Sequence, residues 1–183
     1  MITIELEGKE YKMPESWDEV NVGLFEEITK MATLLPEYKS EVQYTIDMFS
    51  VLTGAPIDSL SRMTRKGFED LAKATEWVNE EVKSSEKEIW EFDGVEYMPV
   101  KNLDSLTMGD SVSLELMIKE SNEATILANI LPILVRRVKK LKGDGDDIKK
   151  IPGDFDADSY NEVKELFKRK MMVTDVIKLK SFF

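Results

Sequence analysis

Apolar residues alternate with polar ones from Ile2 to Leu6 and then recur at helical spacing through Leu24, Phe25, Ile28, Met31 and Leu35, a change of period that marks a strand leading into a helix. Between them lie Glu7-Gly8, a short return segment carrying Tyr11, and Pro14. Glycine supplies the positive φ of a tight turn and proline cannot donate to a ladder, so the segment reads as a β-hairpin that ends near Pro14. The same pattern returns later. Glu88-Ile89-Trp90-Glu91-Phe92 runs into Asp93-Gly94, a favoured type I′ pair, and a return strand with Tyr97 stops at Pro99.

The two patterns are copies. Glu5 to Tyr11 aligns with Glu91 to Tyr97, and Trp17 to Gly23 with Leu103 to Gly109, without a gap at one constant offset of 86 residues. Gly8, Tyr11, Trp17 and Asp18 define the repeat in the first copy, and Gly94, Tyr97, Leu103 and Asp104 in the second. Asp18 and Asp104 read as local turn formers whose side chains bond nearby backbone N–H groups. Asn21 and Thr107 are expected to cap the next helix. In the second copy Thr107 and Asp110 have capping-box spacing, and Met108, Val112 and Leu116 follow at i, i+4 and i+8 as its apolar row.

Further helices are expected after each first one. Ser40-Glu41-Val42-Gln43 opens a helix through Leu52 that Gly54 closes, and its counterpart is the run from Ala124 to Val135, apolar nearly all round and interrupted by Pro132. Thr64 opens a third helix with Phe68, Leu71, Ala72 and Val78 inward; its counterpart starts at Ser159, where Glu162 completes a capping-box spacing. The fold class expected is therefore α+β and mostly helical, a tandem duplication of a β-hairpin followed by about three helices. Residues 1–86 form the first unit. Residues 87–183 form a second, diverged unit with a charged loop over 139–156, rich in Lys, Asp and Gly, and a C-terminal tail.

Composition narrows the chemistry. The 183 residues are 42% hydrophobic, enough for a sizeable core, and contain neither cysteine nor histidine. Disulfides, thiolate ligands, the usual nucleophile–base pairings and imidazole switches are thereby excluded, while carboxylate, lysine or tyrosine chemistry stays open. The nine glycines are scattered and no phosphate-cradling loop occurs. Asp144, Asp146, Asp147, Asp154, Asp156 and Asp158 fail the calcium-loop pattern, because Lys149 and Phe155 stand where its glycine and closing glutamate belong. No catalytic residue, cofactor or metal is expected, and the chain is read as a non-enzyme. No secretory leader is legible at Met1-Ile2-Thr3-Ile4-Glu5, and Ala124–Val135 is far short of the roughly 20 apolar residues that span a bilayer, so a cytoplasmic location without membrane contact is expected.

Charge separates the halves. The net charge is −11; residues 1–86 hold 9 basic and 18 acidic side chains, residues 87–183 hold 16 and 18. From Arg136 and Arg137 onward bases outnumber acids, which allows head-to-tail pairing of copies but equally suits ordinary solvated helix faces. Aromatic residues interleave with this basic third, yet overall acidity argues against nucleic acid as a partner. The acidic first half suits a DNA-mimicking inhibitor better. The tail, with Ile177, Leu179, Phe182 and Phe183 alternating with basic residues, reads either as a strand added to a neighbour's open hairpin edge or as a segment folded back on its own core. Ile177, Leu179, Phe182, Phe183, Arg136 and Arg137 are thus the candidate interaction residues.

Gly8-Lys9-Glu10-Tyr11-Lys12-Met13-Pro14-Glu15-Ser16-Trp17-Asp18-Glu19-Val20 resembles the opening of small proteins from the structural gene modules of tailed bacteriophages, where a hairpin leads through a Pro-x-Ser-Trp-x-Glu-Val phrase into a helix. The resemblance spans about 30 residues, and in the second copy Asn102-Leu103-Asp104-Ser105-Leu106 replaces the Ser-Trp phrase. It implies non-enzymatic virion or tail-assembly work in the host cytoplasm, with other phage structural proteins and copies of the chain as partners. It brings no functional residues with it. The alternative is a small acidic inhibitor or adaptor binding a host protein. Ten methionines suit adaptable contact surfaces and soft core packing alike.

Overall fold

Both hairpins turn on two successive left-handed residues, Glu7 and Gly8 at φ 51° and 77°, and Asp93 and Gly94 at φ 53° and 77°. That pairing is what a two-residue type I′ turn requires, and it fits the right-handed twist of the flanking strands. In the computed structural model, which describes residues 1–85, 87–142, 148–177 and 179, strands β1 (Ile2–Leu6) and β2 (Lys9–Met13) form the first hairpin, with Ile4 opposite Tyr11. Strands β3 (Trp90–Phe92) and β4 (Val95–Pro99) form the second, with Trp90 opposite Tyr97. Each pair is related to the other by the offset of 86 residues.

The correspondence continues past the hairpins. A 3-10 turn at Trp17–Glu19 leads to helix α1 (Val22–Leu34), and one at Leu103–Ser105 leads to α5 (Met108–Glu120). Asn21 caps α1 by accepting from the Leu24 N–H, and Thr107 caps α5 with a full capping box in which Thr107 and Asp110 exchange hydrogen bonds. The expected roles of Asp18 and Asp104 pass to neighbours. Both aspartates are exposed, while Asn102 Oδ1 accepts from the Asp104 N–H and Glu19 Oε2 from the Glu15 N–H.

Eight helices and two antiparallel sheets are found among the described residues, an α+β protein that is mostly helical. The chain divides into two compact units, residues 1–84 together with the segment from Met172 onward, and residues 85–171. The sequence-based boundary lies two residues further along. The C-terminal segment, assigned from sequence to the second unit, groups with the first.

In the first unit α1 packs against α2 (Glu41–Thr53), whose Ser40 cap accepts from the Gln43 N–H and whose end at Gly54 is left-handed. A short helix not anticipated from sequence, α3 (Ile57–Ser61), precedes α4 (Arg65–Ala74), capped by Thr64. Met13, Val20, Val22, Phe49, Leu52, Leu60 and Leu71 are buried, and Trp17 makes edge contacts with Phe25 and Trp77. Trp17 Nε1 donates to the Glu80 carbonyl at 2.9 Å, tying the start of α1 to the end of the unit. The returning segment includes the one-turn helix α8 (Val173–Val176).

In the second unit the hairpin is extended. Strands β5 (Val135–Lys142) and β6 (Ile148–Pro152) continue the sheet in the order β3-β4-β5-β6, all antiparallel. Much of the stretch read as a charged loop, 139–156, is therefore strand. Lysines at 139, 140, 149 and 150 hid the alternation, because this end of the ladder carries exposed side chains on both faces and buries little. Asp144, Asp146 and Asp147 lie outside the described residues.

Helix α6 (Ile126–Leu134) is buried through most of its length, and Pro132 stands two residues before its end, inside the last turn before β5. Ile130, Ile133, Leu134 and Leu114 form a core that Leu103, Leu106 and Met117 border. Trp90 and Tyr97 are also buried, with Tyr97 edge-on to Phe167 of α7 (Tyr160–Lys170) at 5.1 Å. The Ser159–Glu162 capping box does not form. Instead Asp156 Oδ1 accepts from the Asp158 N–H and shapes the turn before α7.

Candidate interaction surface

Helix α5 carries two apolar rows, and only one can face a core. Leu114 is buried, Met117 and Ile118 border the same cluster, and Asp110 is buried on that side. Met108, Val112 and Leu116, read from sequence as the helix's apolar row, are 80%, 52% and 47% exposed. Both rows have helical spacing, so periodicity could not choose between them. The signal that could have separated them is the capping box, since it fixes Asp110 toward Thr107 and with it the face that Leu114 continues.

The repeat shows how unusual the exposed row is. Met108 corresponds to Val22, which is 1% exposed, and Val112 to Glu26, which is 6% exposed and paired with Lys30 at 2.9 Å. In the first unit the returning segment lies beside this place. Met172 forms an antiparallel bridge with Asn21, and the Val173 N–H donates to the Val20 carbonyl at 2.8 Å. Val173 and Val176 are fully buried. In the second unit the corresponding Leu106 is only half-buried, and Met108 next to the cap is open.

At its far end the exposed row meets a shallow groove of about 190 Å³, lined by Ser113, Leu116, Met117, Ile133, Phe155, Ala157 and Tyr160. The Tyr160 hydroxyl is already committed, donating to the Asn129 carbonyl at 2.9 Å, and burial pushes its pKa up. The groove thus offers mostly apolar walls.

Arg136, a candidate interaction residue from sequence, is instead buried and structural. Its Nε donates to the Ile133 carbonyl at 2.8 Å, its Nη1 to the Gly153 carbonyl at 3.3 Å, and its Nη2 lies 3.2 Å from Asp110 Oδ2. It therefore ties the end of α6, the end of the β5–β6 hairpin and the start of α5 together. Burial pushes the Asp110 carboxyl upward, but the Thr107 N–H and hydroxyl and the Arg136 charge outweigh it and hold the group below its ordinary value. Sequence reasoning took Arg136 with Arg137 as one basic patch. Alternation along β5 separates them, and Arg137 is exposed.

Lys140 and Lys150 flank half-buried Glu96 at 3.4 and 2.5 Å, so part of the basic charge of β5 and β6 is neutralised within the sheet. The Lys150 ammonium beside Glu96 holds its carboxyl below the usual range. In the tail, Ile177 is half-buried and Leu179 buried. The described part of this segment is helical and folded back rather than an extended strand, while Phe182 and Phe183 lie outside the described residues. Of the repeat-defining residues, Tyr97 is buried, Tyr11, Trp17 and Leu103 are half-buried, and Gly8 and Gly94 occupy equivalent turns.

Among the described residues no three Asp or Glu side chains are placed to share a metal ion, and no helix is long and apolar enough to cross a membrane. No family model, curated protein or solved structure matches the chain.

Proposed function

We propose that this protein is a non-enzymatic component of a tailed-phage virion or tail-assembly module, working through protein–protein contacts in the host cytoplasm during assembly. The observation that carries the reading is the open apolar row Met108, Val112 and Leu116, at positions the first copy of the repeat devotes to buried or paired side chains. Three large apolar side chains on one helix face, continuing into an apolar groove, are a surface that gains by association. The phage assignment itself rests on the resemblance of residues 8–20.

The acidic-inhibitor alternative has less support. A phosphate mimic needs a stripe of free carboxylates, whereas Glu7 is held by Ser59 and Arg62, and Glu15 and Glu19 by the terminal amine. The Ser59 hydroxyl and the Arg62 guanidinium hold the Glu7 carboxyl below the usual range. Size-exclusion chromatography with light scattering, alone and with candidate virion proteins, tests the proposal. A defined complex with a head or tail protein is expected. A strict monomer that binds none of them but inhibits a host DNA-binding enzyme would overturn it.

A further inference from the structure

We propose that copies of this chain join head to tail by edge pairing, strand β1 of one copy adding antiparallel to strand β6 of the next with Glu5 opposite Lys150. The inference rests on the protein–protein reading above and names one partner, a second copy, and the contact it uses. Both strands are sheet edges among the described residues: β1 pairs with β2 alone, and β6 stands last in the order β3-β4-β5-β6. An open edge is a template for another strand.

The pairing already in place fixes which backbone groups each edge offers. A two-residue turn closes on a hydrogen-bonded pair, Leu6 with Lys9, so Leu6, Ile4 and Ile2 direct their backbone groups to β2 and those of Thr3 and Glu5 point outward. In the second sheet the Val100 N–H donates to the Leu134 carbonyl and the Gly153 N–H to the Arg137 carbonyl. Odd-numbered residues of β5 therefore face β6, where Lys149 and Ile151 answer them, and Ile148, Lys150 and Pro152 point outward. With Glu5 opposite Lys150 the two edges exchange a pair of hydrogen bonds, and the Thr3 N–H meets the Pro152 carbonyl. Proline has no N–H to give, so its place at the end of the edge forfeits a single bond. Ile4 then faces Ile151, both of them half-buried in the single chain.

Charge selects the second copy. Lys140 and Lys150 both pair with the one carboxylate of Glu96, and Lys149 is exposed without an ion pair among the described residues, so this end of the sheet carries surplus positive charge. On β1, Glu5 is exposed and likewise enters no ion pair among the described residues. Opposite charges on facing residues stabilise a strand pair, and like charges oppose it. Two β6 edges would bring lysines together and two β1 edges glutamates, whereas β1 against β6 matches them. Strand β3, the other edge of the second sheet, has three residues and turns only Glu91 outward; β1 and β6 have five each. The complement of β6 thus lies on the chain itself, in equal number. Because the two edges differ, the contact is heterologous and extends into a ring or a filament.

The test uses the full chain, which has no cysteine, so Ile4→Cys and Ile151→Cys each introduce a single thiol. Facing residues of a non-hydrogen-bonded pair lie about 4.5 Å apart at Cα, within reach of a disulfide. A mixture of the two variants is expected to form a disulfide-linked dimer at least tenfold faster than either variant alone. Light scattering of the parent chain should show a mass that rises with concentration. Glu5→Lys should weaken this association at least tenfold, whereas Glu81→Lys, an equal change of charge at another exposed position, should alter it less than twofold; urea unfolding verifies that each variant folds as the parent does. A strictly monomeric parent chain, a Glu5→Lys effect no larger than that of Glu81→Lys, or cross-linking of Ile4→Cys with itself as fast as with Ile151→Cys overturns the proposal. A monomer that still forms a complex with a head or tail protein sinks this inference while the assembly reading stands. Edge-paired copies that bind no virion protein leave this inference standing and sink the phage assignment.

Discussion

The two copies of the repeat share a hairpin, a 3-10 turn and a thirteen-residue helix in the same register, yet each is finished differently. In the first, the hairpin stands as a two-stranded sheet and the start of the helix is closed by a chain segment that returns from residue 172. In the second, β5 and β6 extend the hairpin to four strands, and the start of the helix stays open. The pattern of turn glycine, cap and helix period is satisfied locally and so survives divergence. What covers the unit is not specified by that pattern, and the two copies have each acquired one cover and gone without the other.

The largest way to break this comparison is at Arg136, which has no counterpart in the first unit. Arg136→Met leaves the Asp110 carboxylate buried without its charge partner and should destabilise the second unit by about 3–5 kcal/mol. Hydrogen exchange measured separately over α1 and α6 should show the loss at α6 alone. The same pair sets an acid limit. Because the folded-state pKa of Asp110 lies below its ordinary value of 3.8, its contribution is complete above that pH and is lost as pH falls through the folded value. Acid unfolding of the second unit should therefore begin below about pH 4, and Arg136→Met should move that transition to higher pH.

A smaller contrast is carried by the equivalent pair Val22 and Met108. Val22→Ser removes a buried side chain and should cost the first unit about 2 kcal/mol, whereas Met108→Ser should change stability by less than about 0.5 kcal/mol. Equal losses in urea unfolding would mean that the start of α5 is closed in solution. The smallest expected difference lies at the turns. Gly8→Ala and Gly94→Ala each force a side chain into the left-handed region with no neighbouring atom within 4 Å, so each should cost about 1–2 kcal/mol. The two losses should agree within about 0.5 kcal/mol, because the turns are the same; a clear inequality would separate the copies at the one place where they match best.

Those contrasts also trace how far the chain could be read from its residues. The turns, the caps at Asn21, Ser40, Thr64 and Thr107, the left-handed end at Gly54 and the buried middle helix of the second copy were all legible, since each is fixed by contacts within about one helical turn or by composition. The strands β5 and β6 were not. Their lysines mask the period of two, and their order comes from pairing with β4, far away in sequence. Helix α3 was missed because five residues are too few for a periodic pattern.

The candidate surface shows the same division. The sequence placed three apolar residues at helical intervals on α5, and their spacing alone cannot say whether that row or the one through Leu114 meets the core. Residue type and local spacing determined the hairpins, their helices and the duplication, because those depend on backbone sterics and short-range hydrogen bonds. Tertiary structure alone decided that Arg136 is sealed against Asp110, that the tail belongs to the first unit, and that Met108, Val112 and Leu116 face outward. Each of these follows from long-range burial, where one segment covers another and the sequence near either says nothing of its partner.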